Sequence, residues 1–133
     1  MPIPAVTPFH GTAPAVFPDA AAGAAMLAGA ANTYGNYVAV SGALAVDSVL
    51  VRLTLDTPAV NIEPCEWELS HGAAHTVIAT DVIGFGTAVG TYPPIELKGE
   101  GGLIDAGETI SLRIRTATGA TTCNAHLSTM PAL

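Results

Sequence analysis

From Tyr37 onward the chain repeats one pattern, short runs in which apolar and polar residues alternate, separated by turn-forming residues. Ile110, Leu112 and Ile114 interleave with Thr109, Ser111, Arg113 and Arg115, and Cys123, Ala125 and Leu127 with Thr122, Asn124, His126 and Ser128. Val49, Val51, Leu53 and Leu55 alternate in the same way with Leu50, Arg52, Thr54 and Asp56. A period of two is the pattern of a strand with one buried face. Further runs of strand character cover 37–46, 60–69, 76–83, 86–91 and 95–98, and turns are signalled at Thr57-Pro58, Ser70-His71-Gly72, Tyr92-Pro93-Pro94, Gly99 to Gly102, Ala106-Gly107 and Thr118-Gly119. No amphipathic helix follows residue 36, so parallel strands joined by crossover helices are excluded. The pattern predicts an all-β fold, an antiparallel β-sandwich or jelly roll of about eight strands. The shared phase places Val51, Leu53, Trp67, Ile110, Leu112, Ile114 and Leu127 inside. Pro64 within a strand lacks a ladder donor and marks that strand as an edge or bulged one.

Residues 1–36 differ in composition, and the boundary divides the chain into an N-terminal arm, 1–36, and a β-domain, 37–133. The first eighteen residues hold Pro2, Pro4, Pro8, Pro14 and Pro18, and Asp19 is the single charge of the whole segment. Proline at this density favours extended backbone and removes donors. Asp19 stands where it would cap a helix running through Ala31, and the Ala-rich composition leaves helix and irregular backbone both open there. An extended arm left in water is usually polar, whereas this one carries Ile3, Val6, Phe9, Val16, Phe17, Met26 and Leu27. Those seven are the expected docking residues, on the chain's own domain or on a partner.

Charge narrows the partners. Of 133 residues, four are Lys or Arg and eleven Asp or Glu, for a net charge of -7. The basic stripe that follows a phosphate backbone is missing, an anionic membrane would repel the chain, and no apolar run is long enough to span a bilayer, so neither nucleic acid nor membrane is an expected partner. The first Lys or Arg is Arg52, so the charged head of a secretory signal is absent and no export is expected. Cys65 and Cys123, the two cysteines, are then read as buried reduced thiols rather than as a bridge.

Candidate chemistry is sparse. His71 and His75 are four apart across a Gly-containing turn, a weak zinc signal that reads better as two loop histidines. Glu66 and Glu68 flank Trp67, and alternation puts the carboxylates on the solvent face with Trp67 in the core. Glu96, Glu100, Asp105 and Glu108 lie among glycines without the spacing of a known calcium loop. Gly84 to Gly90 has the wrong spacing for a dinucleotide fingerprint, and Ser41 and Ser70 lack a nucleophile elbow. No catalytic residue, metal or cofactor is expected, and the chain is read as not an enzyme.

With 11% charged residues, where about 25% is typical, and fifteen Thr and fourteen Gly, the surface suits burial between subunits. A homotrimer that buries one sheet face is the expected assembly. The segment from Gly102 to Ile114, an Ala-Gly-Glu turn leading into an alternating strand, followed by a closing strand from Thr122 to Leu127, resembles the late strands of tumour-necrosis-factor-like and complement-globular-head jelly rolls. An acidic, non-exported jelly roll with a Pro- and Ala-rich arm is also similar to the cement or decoration proteins of tailed bacteriophages. That resemblance implies a structural virion protein on the capsid exterior, made in the host cytoplasm, whose arm clamps the major capsid protein. A virion fibre or receptor-binding module, or a trimeric binding domain of the tumour-necrosis-factor type, is the alternative expectation.

Overall fold

The computed structural model describes residues 14–19, 21–56, 63–84 and 94–132. They form an all-β sandwich of two antiparallel sheets, with no helix among the described residues. In sheet A, β9 (Thr122–Pro131) pairs on one side with both β1 (Ala15–Phe17) and β2 (Ala24–Leu27) and on the other with β4 (Ser48–Leu55), which pairs with β7 (Ile95–Glu96). Sheet B runs β3 (Val38–Ala39), β8 (Ile110–Thr116), β5 (Cys65–His71), β6 (Thr76–Ile83). The pairs β2–β9, β3–β8, β4–β7 and β5–β6 are nested one inside the next. Nested antiparallel pairs are one long hairpin rolled into two layers, the jelly-roll form of the sandwich.

The core lies between the sheets. Leu53, Leu55, Leu69, Ile110, Leu112, Ile114 and Leu127 are fully buried, with Trp67 at 2% exposure. Of the expected inward set, Val51 alone fails. Leu50 faces Thr129 and Arg52 faces Ser128 across the ladder, which leaves Val51 as an extra residue in a β-bulge. Leu50, assigned to solvent by simple alternation, is fully buried, and Val51 is only half-buried. A bulge moves the inward phase by one residue, and a period count blind to it misplaces every residue on one side.

The Ala-rich segment forms a strand, not a helix. Ala24, Met26 and Ala28 are buried while Ala25 and Leu27 are exposed, the alternation of β2 against Ala125 to Thr122 of β9. Burying the Met26 side chain is worth about 1.5–3 kcal/mol, more than the helix preference of a few alanines. The expected boundary at residue 36 is therefore no boundary in the sheet, since β1 and β2 are built into sheet A. Pro64 precedes β5 rather than interrupting it, and β5 is a central strand between β8 and β6. Of the run 37–46 only Val38–Ala39 is strand; the run 86–91 lies outside the described residues.

Candidate functional site

The outward face of sheet B concentrates the charged and aromatic side chains. Glu66 stands directly opposite Arg115, and Glu68 opposite Arg113, on β5 and β8. Arg115 donates Nε–H to Glu66 Oε2 at 2.6 Å, and Arg113 donates to Glu68 Oε1 through Nε at 2.9 Å and Nη2 at 2.8 Å. Two tyrosines lie across these pairs. The segment before β3 runs beside β8, with Asn32 N–H on the Thr116 carbonyl and Gly35 N–H on that of Ile114. This path carries Tyr34 and Tyr37 over the face. Tyr34 donates to Glu66 Oε1 at 2.8 Å and Tyr37 to Glu68 Oε1. The Arg113 guanidinium carbon sits 4.5 Å from the Tyr34 ring centre and 4.4 Å from that of Tyr37, within cation–π range. His75 stacks on Tyr37 with ring centres 3.9 Å apart.

Gly35 makes this path possible. A Cβ at that position would overlap the backbone carbonyl of Leu27 in the neighbouring β2, so the Tyr34–Tyr37 segment can lie this close to sheet A only with no side chain there.

The electrostatics close on themselves. Hydrogen bonding from Arg115 holds the Glu66 carboxyl below its ordinary range, and the same pairing raises the Arg115 guanidinium. Burial, and secondarily their hydrogen bonds to Glu66 and Glu68, raise the Tyr34 and Tyr37 phenols. The Glu66 carboxylate is held charged and the two phenols held neutral, which suits a rigid donor–acceptor lattice. A groove of about 410 Å³ lies at its margin, lined by Asn32, Pro64, Glu66, Val82, Arg115, Thr116 and Ala117.

The outward face of sheet A is different in kind. β9 presents half-buried Thr122, Asn124, His126 and Ser128, and β1 and β2 add exposed Val16, Ala25 and Leu27. Its formal charge on the paired strands is one ion pair, Arg52–Glu96 at 3.1 Å. Of the seven apolar residues expected to dock, Ile3, Val6 and Phe9 lie outside the described residues. Val16 and Leu27 are 50% and 55% exposed on this face. Phe17 packs against the chain's own core, and Met26 is completely buried in it, so Met26 is a core residue and not a partner contact. The arm is an edge of the sandwich from Ala15 to Leu27.

The other constellations resolve into local pairs. His71 Nδ1 lies 3.0 Å from Glu108 Oε1, and His75 Nδ1 lies 3.3 Å from the buried Ser70 hydroxyl, so neither histidine is a simple solvated loop residue. Glu96 pairs with Arg52 and Glu108 with His71, which separates the carboxylates grouped by sequence. Among the described residues no group of three or more His, Cys, Asp or Glu is placed to hold a metal ion. Cys65 and Cys123 are both free and buried, as expected, and Cys123 Sγ–H donates to the Asp56 carbonyl at 2.6 Å. Sequence reasoning missed Tyr34, Tyr37, Arg113 and Arg115 as one unit. The available signal was two carboxylates and two guanidiniums at the same i, i+2 spacing on different strands, which pair only if the register aligns them.

Fold and faces together define a jelly-roll β-sandwich with one charged, internally bonded face and one nearly uncharged face. No family model, no curated protein and no solved structure matches the chain. Among the described residues no helix is long and apolar enough to cross a membrane.

Proposed function

We propose that this chain is a structural virion protein that decorates and stabilises a tailed-bacteriophage capsid from the outside, as a homotrimer with the major capsid protein as its partner. The observation that carries the reading is the contrast between the two sheet faces. Sheet B satisfies its own charges, while sheet A offers small, uncharged side chains together with exposed Val16 and Leu27. An uncharged face is cheap to desolvate and suits burial against another subunit. The strand that edges this face, β1, is also the point from which the chain leads back to Ile3, Val6 and Phe9. These apolar side chains give the N-terminal segment something to bury at the particle surface, and three copies linked in a trimer raise its effective concentration there.

The test is attachment. Removing residues up to Leu27 would take β1, β2 and the buried Met26 out of sheet A, so the informative deletion is residues 2–13. The purified full chain, in light scattering, is expected at three times the monomer mass and to co-sediment with expanded tailed-phage capsids. The 2–13 deletion is expected to keep its circular dichroism and trimeric mass and to lose co-sedimentation. A stable monomer, or a deletion variant that still binds capsids at unchanged affinity, overturns the proposal.

A further inference from the structure

Of the four cationic side chains in the sequence, three are held by carboxylates: Arg52 by Glu96, Arg113 by Glu68 and Arg115 by Glu66. Lys98, the single lysine, is exposed and joins no ion pair among the described residues. It stands at φ 50° beside Gly99 at φ 73°, the two central positions of a turn closed by the Glu100 N–H on the Leu97 carbonyl at 2.8 Å. Left-handed backbone at both centres favours Asn, Asp or Gly. The turn alone therefore gives no reason for a lysine. Gly99 N–H also donates to the Leu50 carbonyl at 2.8 Å, which fixes this turn against β4.

A groove of about 450 Å³ opens beside it, lined by Val49, Leu50, Val51, Glu96, Lys98 and Gly99, a volume in the range of small-ligand sites. The β4 bulge shapes it. Val51 is the extra residue between Leu50 on Thr129 and Arg52 on Ser128, so half-buried Val49 and Val51 flank the fully buried Leu50. Bulges often sit where a strand re-aims a side chain at a site. Two charges stand at the rim. Glu96 is already answered by Arg52 at 3.1 Å, which leaves its carboxylate able to accept a neutral N–H, whereas the charge of Lys98 is unanswered among the described residues.

We infer that this groove binds the C-terminal residue of a polypeptide that ends in an aliphatic side chain. The side chain covers Val49, Leu50 and Val51, the terminal carboxylate meets Lys98, and the N–H of the last peptide bond donates to Glu96. Charge complementarity selects this ligand over those nearest to it in chemistry. An uncharged aliphatic group leaves Lys98 without a partner, and a free amino acid brings its ammonium to a carboxylate that Arg52 already neutralises. The ligand chemistry of the groove is independent of whether sheet A meets a capsid, so it is tested on the purified chain alone.

The experiment follows the amide resonances of the full, isotope-labelled chain by NMR during titration with N-acetyl-leucine, a small probe that carries all three features. Saturable shifts are expected at Leu50, Val51, Lys98 and Gly99, with the millimolar affinity of so small a ligand. N-acetyl-leucinamide lacks the carboxylate, N-acetylglycine lacks the side chain, and free leucine carries an ammonium in place of the amide. Each is expected to bind at least about fivefold more weakly. Lys98→Gln changes an exposed side chain and, with native circular dichroism, is expected to lose the same factor for N-acetyl-leucine. The inference is overturned if N-acetyl-leucine gives no saturable shift at these residues, or if any of the three analogues binds as tightly. It is equally overturned if Lys98→Gln keeps the wild-type affinity.

Discussion

Burial pushes the Cys65 thiol from its ordinary 9.0 up to about 12, with the nearby carboxylates of Glu63 and Glu66 adding to the shift. Burial does the same to Cys123, again to about 12, with Cys65 and Asp56 as secondary causes. Both side chains are within 1% of complete burial. The unfolded chain ionises these thiols near pH 9 and the folded chain does not. A raised folded-state value leaves stability intact below the unfolded pKa and removes it as pH climbs toward the folded one. A three-unit shift corresponds to about 4 kcal/mol per thiol. Between pH 9 and 11 the pair should therefore cost about 2 kcal/mol per pH unit, and by pH 10 about 3 kcal/mol in all, a large part of the 5–15 kcal/mol typical of a domain.

The assay is urea unfolding at pH 8, 9, 9.5 and 10 in reductant at fixed ionic strength, followed by Trp67 fluorescence and far-ultraviolet circular dichroism. Tyr34 and Tyr37 also have raised values and act in the same direction above pH 10, so the thiols are isolated by substitution and by staying at or below that pH. Cys65→Ala and Cys123→Ala each lower the stability at pH 8 through lost packing. What matters is the slope, which each single variant should halve and the double variant should abolish between pH 9 and 10. A wild-type stability that stays flat over that interval refutes the reasoning, as does a double variant with the wild-type slope.

On the acid side Glu66 has a lowered carboxyl, chiefly through Arg115; its contribution is present above the ordinary 4.5 and is lost as pH falls through the lower folded value. Glu66→Gln should flatten the stability profile below pH 4.5 in the same urea titrations. Glu68→Gln strips Arg113 of its partner on a side chain only 12% exposed, and should cost about 1–2 kcal/mol by chemical denaturation. Gly35→Ala, which overlaps the backbone of Leu27, should cost about 3 kcal/mol, whereas Gly42→Ala, with nothing near its Cβ, should stay within about 0.5 kcal/mol. Trp67 Nε1 finds no acceptor among the described residues, so Trp67→Phe should be milder than its lost volume suggests. Calorimetry should show it below about 2 kcal/mol, against about 3–5 kcal/mol for Trp67→Ala.

The strands β8 and β9 were legible because each keeps one phase from end to end, and a half-buried face writes that phase directly into the residue types; β6 was located by its β-branched run, although a bulge at Ile78, between Ala79 on Leu69 and Val77 on Ser70, breaks its phase. β4 was half legible. Its alternation continues on paper through Val51, and only the ladder, with Leu50 on Thr129 and Arg52 on Ser128, reveals the extra residue. β2 was illegible for a different reason. Alanine fits either a helix or a tight strand, and what decides between them is the pairing with Asn124 and Ala125, a contact about a hundred residues away along the chain. Local propensity is a weak guide whenever a distant partner completes a sheet.

The candidate faces divide along the same line. Glu66 and Glu68 could be placed on the solvent side from their own strand, and so could Arg113 and Arg115 from theirs, yet nothing local sets Glu68 against Arg113 instead of Arg115. Register does that, and register here follows from which apolar residues meet in the core: Trp67 on Ile114 and Leu69 on Leu112. Once those apolar pairs align, the intervening charges have no freedom left, and a slip of one residue would turn the buried side chains of either strand outward. A slip of two would keep the faces but set Glu66 on Arg113 and leave Arg115 and Glu68 each without its partner. A slip of two the other way would set Glu68 on Arg115 and leave Glu66 and Arg113 without theirs, so the ion pairs on the outer face disfavour both of the two-residue slips that the hydrophobic pattern alone would tolerate.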